Sequence, residues 1–151
     1  MSHTFELIKG QEAFTSDLAL ALFDLDRNYF PTPWTRDSWL DLFNGHERLL
    51  VTLKKDEGTL IGFCLFDLAH ADSFAHLLKI LIIPEERTKK FSKPLLEKAF
   101  EHLKAHQFSQ FFLEVEADNY AAQKLYLSCG MKVIHRKKDF YGQGRDALIM
   151  T

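Results

Sequence analysis

The chain has 151 residues and a formal net charge of −2. This length is typical of one domain with a sizeable hydrophobic core, so residues 1–151 are expected to form a single domain. The near-neutral charge gives no global positive field, which argues against a nucleic acid partner. No apolar run approaches the roughly 20 residues of a membrane span, and the N-terminus lacks the apolar core of a signal peptide.

Two cysteines, Cys64 and Cys129, are too few for a disulfide framework. They indicate a reducing, cytoplasmic location and buried free thiols. His102 and His106 have the i, i+4 spacing of a metal pair but lack a third ligand, so no metal is expected.

The N-terminal half of the chain predicts a strand, two helices and three further strands. Apolar residues at helical spacing predict the first helix over Gln11–Asp26. Thr35 is placed to cap the second helix, where Trp34 and Trp39 have the spacing of a hydrophobic staple. The strands are expected at Thr4–Ile8, Arg48–Lys54, Thr59–Leu68 and Ser73–Ile83.

The C-terminal half alternates helices and strands. A helix over Ser92–His106 precedes a strand at Phe111–Glu116, and a helix over Asn119–Ser128 precedes two strands joined around Tyr141–Gly144. Strands with interspersed helices predict an α/β (α+β) domain built on one central sheet.

The most informative segment is Leu113–Met131, where a strand leads into a helix. Alternation in the strand places Glu114 and Glu116 on one face. Asp118 is a suitable N-cap for the helix and Gly130 a suitable residue just beyond its end. Asn119 and Tyr126 then lie on one helical stripe, two turns apart.

This segment resembles the GNAT acyltransferase superfamily, and most closely its ribosomal-protein N-terminal alanine acetyltransferases (the RimI-like group). The matching residues are Leu113-Glu114-Val115, then Asn119, Ala122, Leu125-Tyr126 and Gly130-Met131. The Phe30–Trp34 segment and the ending from Asp139 to Met150 also agree with the family. The resemblance implies a central mixed, mostly antiparallel sheet of about seven strands flanked by about four helices.

The resemblance implies acetyl-CoA as cosubstrate, with no metal. The acetyl group would pass to a primary amine, first of all a peptide or protein N-terminal α-amine, by direct transfer in a ternary complex. Two alternatives stay open: a GNAT-fold protein that has lost CoA binding and acts as a peptide-binding or regulatory module, and an acetyltransferase for a small amine. The oligomeric state stays open between monomer and dimer.

The family binds the pyrophosphate of acetyl-CoA with a loop of pattern Q/R-x-x-G-x-G/A. Here Arg87 matches the first position, but Lys90 and Ser92 replace the two glycines. The loop's cations either compensate with charge for the lost backbone contacts or form a solvated charge run. The residues expected to bind acetyl-CoA are Ile82, Ile83, Arg87, Thr88, Lys89, Lys90, Phe91, Ser92, Asn119 and Tyr126. Asn119 either caps the start of its own helix or hydrogen-bonds the pantetheine arm, and the two roles are compatible.

Glu114 is the candidate general base, because a carboxylate can take the proton of an N-terminal ammonium whose pKa is near 8. Tyr126 is the candidate general acid for the leaving thiolate. The alternatives are a solvated strand glutamate and a core tyrosine. Phe30, Trp34 and Tyr141 are expected to line the acceptor cleft, with hydrophobic packing over the sheet as their alternative role.

Overall fold

The structure is a computed structural model that describes residues 2–151. Seven strands and four α-helices form it, together with short 3-10 turns at Gln11–Ala13, His70–Asp72 and Pro84–Lys89. In chain order the elements are β1 (His3–Ile8), α1 (Ser16–Tyr29), α2 (Arg36–Leu40), β2 (Arg48–Lys55), β3 (Thr59–Ala69), β4 (Phe74–Ile82), α3 (Ser92–Ala105), β5 (Gln110–Glu116), α4 (Tyr120–Ser128), β6 (Val133–Lys137) and β7 (Ala147–Met150).

The seven strands form one sheet in the order β1-β2-β3-β4-β5-β7-β6. Every neighbouring pair is antiparallel except β4 and β5, which run parallel. The α3 helix connects these two parallel strands, as a parallel crossover requires. The expected mixed, mostly antiparallel sheet of seven strands with four helices is confirmed.

Helices cover both faces of the sheet, so the protein has two hydrophobic clusters. One cluster contains the apolar stripe of α3, from Leu95 to Leu103, and Tyr126 of α4. The other contains Leu22 of α1 and Trp39 of α2. The strand β2 supplies both, because its alternate side chains point to opposite faces. In the part of the chain that the structure describes, no helix has both the length and the apolar character to cross a membrane.

The α1 helix begins later than its apolar spacing predicts. Gln11–Ala13 form a separate 3-10 turn, and the Thr15 hydroxyl accepts a hydrogen bond from the Leu18 N–H at 3.1 Å. Thr15 is therefore the N-cap, and the helix runs from Ser16 to Tyr29. The predicted start at Gln11 is wrong because a local cap stops the helix from extending toward the N-terminus.

The second helix begins as predicted. The Thr35 hydroxyl accepts a hydrogen bond from the Ser38 N–H at 3.1 Å, and the ring centroids of Trp34 and Trp39 lie 5.3 Å apart across the helix start. The expected cap and hydrophobic staple are confirmed. This contact fixes where the chain between α1 and α2 lies, and that segment forms one wall of the candidate site.

Candidate active site

The site lies where β4 and β5 separate. The two strands pair only from Phe74 to His76 and from Gln110 to Phe112. Beyond that point β5 pairs with β7, while the same edge of β4 has no strand partner among residues 2–151. A register shift between β3 and β4 leaves Leu78 without a cross-strand partner. Such a bulge bends its strand, which helps to open the gap.

A cleft of about 630 Å³, here called the loop-side cleft, opens between the end of β4, the Arg87–Ser92 loop and α4. Most of the residues expected to bind acetyl-CoA line it, and the remainder lie outside its lining. The lining members are Ile82, Arg87, Lys90, Ser92, Asn119 and Tyr126. The members outside are Ile83, Thr88, Lys89 and Phe91.

The cations of the loop have different partners. The Arg87 Nε donates a hydrogen bond to the Ile82 carbonyl at 2.9 Å, which closes the loop against the end of β4. The Lys89 Nζ lies 2.8 Å from the carboxylate of Glu86, a buried residue, and forms an ion pair with it. Lys90 and Lys93 instead line the loop-side cleft. Charge for an anion therefore comes from positions 90 and 93 rather than from position 89.

Lys90 adopts the left-handed backbone conformation, with φ of +59° and ψ of 42°. Glycine adopts this region without steric cost, whereas other residues do so uncommonly. Lysine therefore adopts here a backbone conformation that glycine would adopt more readily. This left-handed turn places the Lys90 ammonium group beside the cleft.

The N-terminus of α3 lies at the same cleft, since Ser92 and Lys93 both line it. No side chain caps the first N–H groups of this helix, and its first turn has no acidic residue. Uncapped N–H groups at the positive end of a helix dipole attract anions. Together with Lys90 and Lys93, they form a site that suits a phosphate.

A second cleft of about 430 Å³, here called the acceptor cleft, lies on the other side of the strand gap. It brings together the residues predicted for catalysis and for acceptor binding, namely Phe30, Trp34, Glu114, Tyr126 and Tyr141. Asn119 and Tyr126 line both clefts. A group held in the loop-side cleft and a group held in the acceptor cleft would therefore meet beside Tyr126.

The Glu114 carboxylate is partly exposed, with 19% of its side-chain surface accessible. Its Oε2 atom lies 2.6 Å from Nε2 of His76, on the neighbouring strand β4. The phenol of Tyr141 lies nearby, and its pKa is raised to about 12. Burial is the main cause, and the negative charge of Glu114 is the second. The predicted base is therefore an ordered carboxylate with one hydrogen-bond donor.

Tyr126 is buried, with 5% of its surface exposed. Burial raises the pKa of its phenol well above the ordinary value of about 10. Among residues 2–151 no group is hydrogen-bonded to its hydroxyl. The phenol therefore stays protonated and keeps its O–H available for a ligand at the junction of the two clefts.

Asn119, not Asp118, caps α4. Its Oδ1 accepts a hydrogen bond from the Ala122 N–H at 3.2 Å, and the helix begins at Tyr120. The expectation that Asp118 is the N-cap is wrong by one residue, since either side chain suits the position and only the backbone path decides. Gly130, with φ of +90°, does end the helix as expected. The Asn119 amide nitrogen remains available to the clefts.

Sequence reasoning missed a buried ion pair beneath the acceptor cleft. The Lys79 Nζ lies 2.7 Å from Oδ1 of Asp26, and both residues are buried. The other oxygen, Oδ2, accepts from the Trp34 N–H at 2.7 Å and from the Trp39 indole N–H at 2.8 Å. Asp26 thus joins α1, α2, β4 and the Phe30–Trp34 segment at one carboxylate.

A signal for this pair exists in the sequence. Along β4 every second residue from Ala75 to Leu81 is buried. The register shift at Leu78 changes the face they point to, so Ala75 and Leu77 pack in the cluster with α3, whereas Lys79 and Leu81 lie on the side of α1 and α2. A lysine in that series requires a buried anion. Asp26 lies on the α1 stripe with Ala19 and Leu22. Periodicity thus identifies both charges as buried, although it does not pair them.

Within residues 2–151, no three His, Cys, Asp or Glu side chains are grouped as metal ligands. Residues 19–131 match the model of the acetyltransferase (GNAT) family. A Bacillus subtilis (strain 168) protein, provisionally named a ribosomal protein bS18-alanine N-acetyltransferase, is 34% identical over 132 residues, which cover 85% of each chain. The bS18-alanine N-acetyltransferase of Escherichia coli (strain K12) is 27% identical over 91% of each chain.

Solved structures agree in fold. The crystal structure of the ribosomal-protein-S18-alanine N-acetyltransferase from Escherichia coli has a TM-score of 0.80 at 20% identity, covering 97% of this chain and 92% of that one. Arabidopsis thaliana NAA60 in complex with acetyl-CoA also has a TM-score of 0.80, at 19% identity, covering 99% and 97%. With the family model spanning most of the sequence, the chain belongs to the GNAT family of acetyltransferases.

Proposed function

We propose that this acetyltransferase modifies the N-terminal α-amine of a protein, by direct transfer from acetyl-CoA in a ternary complex. The observation that carries the proposal is the position of Tyr126, which lines both the loop-side cleft and the acceptor cleft. Glu114 lines the acceptor cleft as well. An N-terminal alanine, as in the names of the bacterial relatives, is the first acceptor to test.

The loop-side cleft fits acetyl-CoA, which supplies the acetyl group as a reactive thioester. The unpaired edge of β4 offers backbone N–H and C=O groups to an extended, amide-containing chain. Lys90, Lys93 and the uncapped start of α3 offer positive charge for phosphates. The left-handed backbone at position 90, which a glycine there would also favour, together with the relatives' names, supports the enzyme over a module without CoA binding.

Glu114 has the role of general base in this proposal. An N-terminal ammonium has a pKa near 8, so most of it is protonated at neutral pH and must lose a proton before it attacks. The Glu114 carboxylate in the acceptor cleft can remove that proton directly or through one water. Phe30, Trp34 and Tyr141 give the cleft aromatic walls, which hold an acceptor beside the base.

Tyr126 has the role of proton donor to the departing thiolate sulfur. Its raised pKa keeps the phenol protonated across the physiological range, so the donor is present in every cycle. Donation to a thiolate whose thiol has a pKa near 8.5 is uphill for such a phenol. Proximity at the junction of the clefts must therefore supply most of the effect.

The charges of the acceptor cleft favour a peptide over a polyamine. Its lining contains two carboxylates, Glu114 and Glu116, and two cations, Lys79 and Arg145. Arg145 is paired with Glu116, and Lys79 with Asp26. A ligand that carries several ammonium groups would require excess negative charge, and this cleft offers little beyond Glu114. A ribosomal acceptor also agrees with the cytoplasmic location that we propose.

The test measures CoA release and product mass with a peptide that copies the alanine N-terminus of ribosomal protein bS18, and with spermidine in parallel. We expect acetylation of the peptide α-amine. Tyr126→Phe should lower kcat by about 10² or more, while Tyr120→Phe, an exposed position on the same helix, should leave it unchanged. Transfer to spermidine alone would replace the acceptor class, and an unchanged rate in Tyr126→Phe would remove Tyr126 from the mechanism.

A further inference from the structure

The Glu114 carboxylate has a partner that the proposed mechanism has not used. His76 Nε2 lies 2.6 Å from Glu114 Oε2. The imidazole is stacked on Phe112, with ring centroids 4.0 Å apart and planes 14° apart. Phe112 is also the strand partner of His76 in the short parallel pairing of β4 and β5. The ring is therefore held by its backbone, by a stacked aromatic ring and by one strong hydrogen bond.

The pair extends from one cleft to another. Glu114 lines the acceptor cleft, whereas His76 lines a separate cleft of about 410 Å³ together with His46, Glu47 and Asp67. A quarter of the His76 side chain is exposed. The nitrogen that does not face Glu114 can therefore exchange protons with solvent while an acceptor fills the other cleft.

The charged groups around His76 come from three elements. On β5 the facing group is Glu114 itself. On β3 it is Asp67, the cross-strand partner of His76, whose carboxylate is neutralised by Arg48 at 2.6 Å. His46 and Glu47 lie across the cleft on the segment before β2. Glu114 is therefore the carboxylate in direct hydrogen-bond contact with His76.

An ionised carboxylate accepts hydrogen bonds and does not donate them, so the Nε2 atom of His76 must carry the proton in this contact. The bond occupies Oε2 and leaves Oε1 of Glu114, which has no donor among residues 2–151, for the acceptor. Without this donor the carboxylate would be free to rotate, and Oε1 would no longer have a fixed position in the acceptor cleft.

We propose that His76 is the positioning residue of the catalytic base, and that its Nε2–H orients the Glu114 carboxylate so that Oε1 faces the acceptor. This inference rests on the proposed acetyl transfer. In that reaction the ammonium nitrogen gives one proton to Glu114 Oε1, the nitrogen bonds to the acetyl carbon, and the C–S bond breaks as Tyr126 protonates the thiolate sulfur. The nitrogen's second proton then restores the Tyr126 phenol. One proton per cycle then leaves Glu114 for solvent.

The experiment compares His76→Gln with His76→Leu in the full-length protein, using the peptide acceptor. Glutamine keeps an N–H donor near the Nε2 position, while leucine removes it. We expect His76→Leu to lower kcat about tenfold or more with the KM for acetyl-CoA unchanged. His76→Gln should stay within about threefold of the kcat of the parent, because it keeps the donor to Glu114. His135→Gln, an exposed histidine of β6, is the matched control.

The outcomes distinguish the role of His76 from the proposed acetyl transfer. If the parent transfers acetyl but His76→Leu keeps its kcat, or if His76→Gln loses as much kcat as His76→Leu, the role of His76 is overturned and the acetyltransferase stands. If the parent transfers acetyl to no tested amine, the proposed function fails and this inference fails with it. Should His76→Leu not fold, His76→Asn, whose shorter amide does not reach Glu114, takes its place in the comparison with His76→Gln.

Discussion

Lys90 holds a backbone φ of +59° without the freedom of glycine. A residue with a Cβ in this region costs roughly 1–2 kcal/mol relative to the right-handed helical conformation. Backbone strain of this kind tends to occur at functional sites. The Lys90 ammonium group lines the loop-side cleft, and a contact with a phosphate there would explain why a strained lysine occupies this position.

Lys90→Gly and Lys90→Asn separate backbone from charge, since both residues accept the left-handed conformation but neither carries a cation. We expect each to weaken acetyl-CoA binding about three- to tenfold at low salt, with the difference from the parent shrinking as ionic strength rises. The free energy of unfolding should change by less than about 1 kcal/mol. Titration calorimetry measures the binding, and Lys98→Gln, an exposed lysine of α3 outside the cleft, is the control. Tighter binding by Lys90→Gly would mean that the lysine is not a phosphate contact.

Asp26 connects the α1 helix to β4, to α2 and to the Phe30–Trp34 segment. Its carboxylate accepts from Lys79 on β4, from the Trp39 indole on α2 and from the Trp34 backbone N–H. The Lys79 ammonium also lies 4.4 Å from the Phe30 ring centroid and 5.0 Å from that of Trp34. One wall of the acceptor cleft is therefore positioned by a buried charge pair.

Removing one member of a buried ion pair leaves an uncompensated charge, which costs about 3–5 kcal/mol. Asp26→Asn should therefore lower the free energy of unfolding by about 3 kcal/mol, and the double change Asp26→Asn with Lys79→Met should recover part of that loss. Asp24→Asn, which breaks an exposed pair with Arg27 on the same helix, should cost less than about 1 kcal/mol. Urea denaturation measures all of these. Equal losses for Asp24→Asn and Asp26→Asn would refute the role of the buried pair.

Local patterns predicted the elements well and the site incompletely, for a physical reason. The alternation of apolar and polar residues predicted the strands, and apolar residues at helical spacing predicted the stripe of α3. Both patterns arise because an element buries one of its faces. The start of α1 at Ser16 was missed because Gln11–Ala13 can satisfy helical spacing without forming a helix. The contacts of Asp26 with Lys79 and of His76 with Glu114 join distant segments, and periodicity does not choose partners.

The candidate site also has a part that the sequence predicted and a part that it did not. Glu114 and Tyr126 come from one strand and the following helix, so a short motif was enough to place both of them at the acceptor cleft. The loop was harder to interpret, because sequence gives the residue at position 90 but not its φ. The structure shows a left-handed turn at Lys90, and the binding roles of the loop residues remain predictions for the experiments above.

The whole molecule contains several groups whose pKa is higher in the folded state than in the unfolded chain. Burial raises the pKa of the Cys64 thiol and the Tyr126 phenol, and burial with nearby negative charge raises the pKa of Tyr141 to about 12. Lys55, through its hydrogen bond to Glu86, also has a raised pKa. In the unfolded chain these groups return to ordinary values, with thiols near 8.5 and phenols near 10.

Each of these groups binds its proton more tightly in the folded state, so the stability they provide is complete below the unfolded pKa and is lost as pH rises toward the folded one. We expect the thermal midpoint to fall steadily from about pH 9 to pH 12. Tyr126, being buried, should contribute a slope of up to about 1.4 kcal/mol per pH unit above pH 10, or roughly 3–6 °C per pH unit. Tyr126→Phe should flatten the fall above pH 10, whereas Tyr120→Phe should follow the parent because Tyr120 is exposed in the fold. A midpoint that falls equally steeply in Tyr126→Phe would show that this phenol is not held neutral by burial, and would place the alkaline sensitivity on the lysines instead.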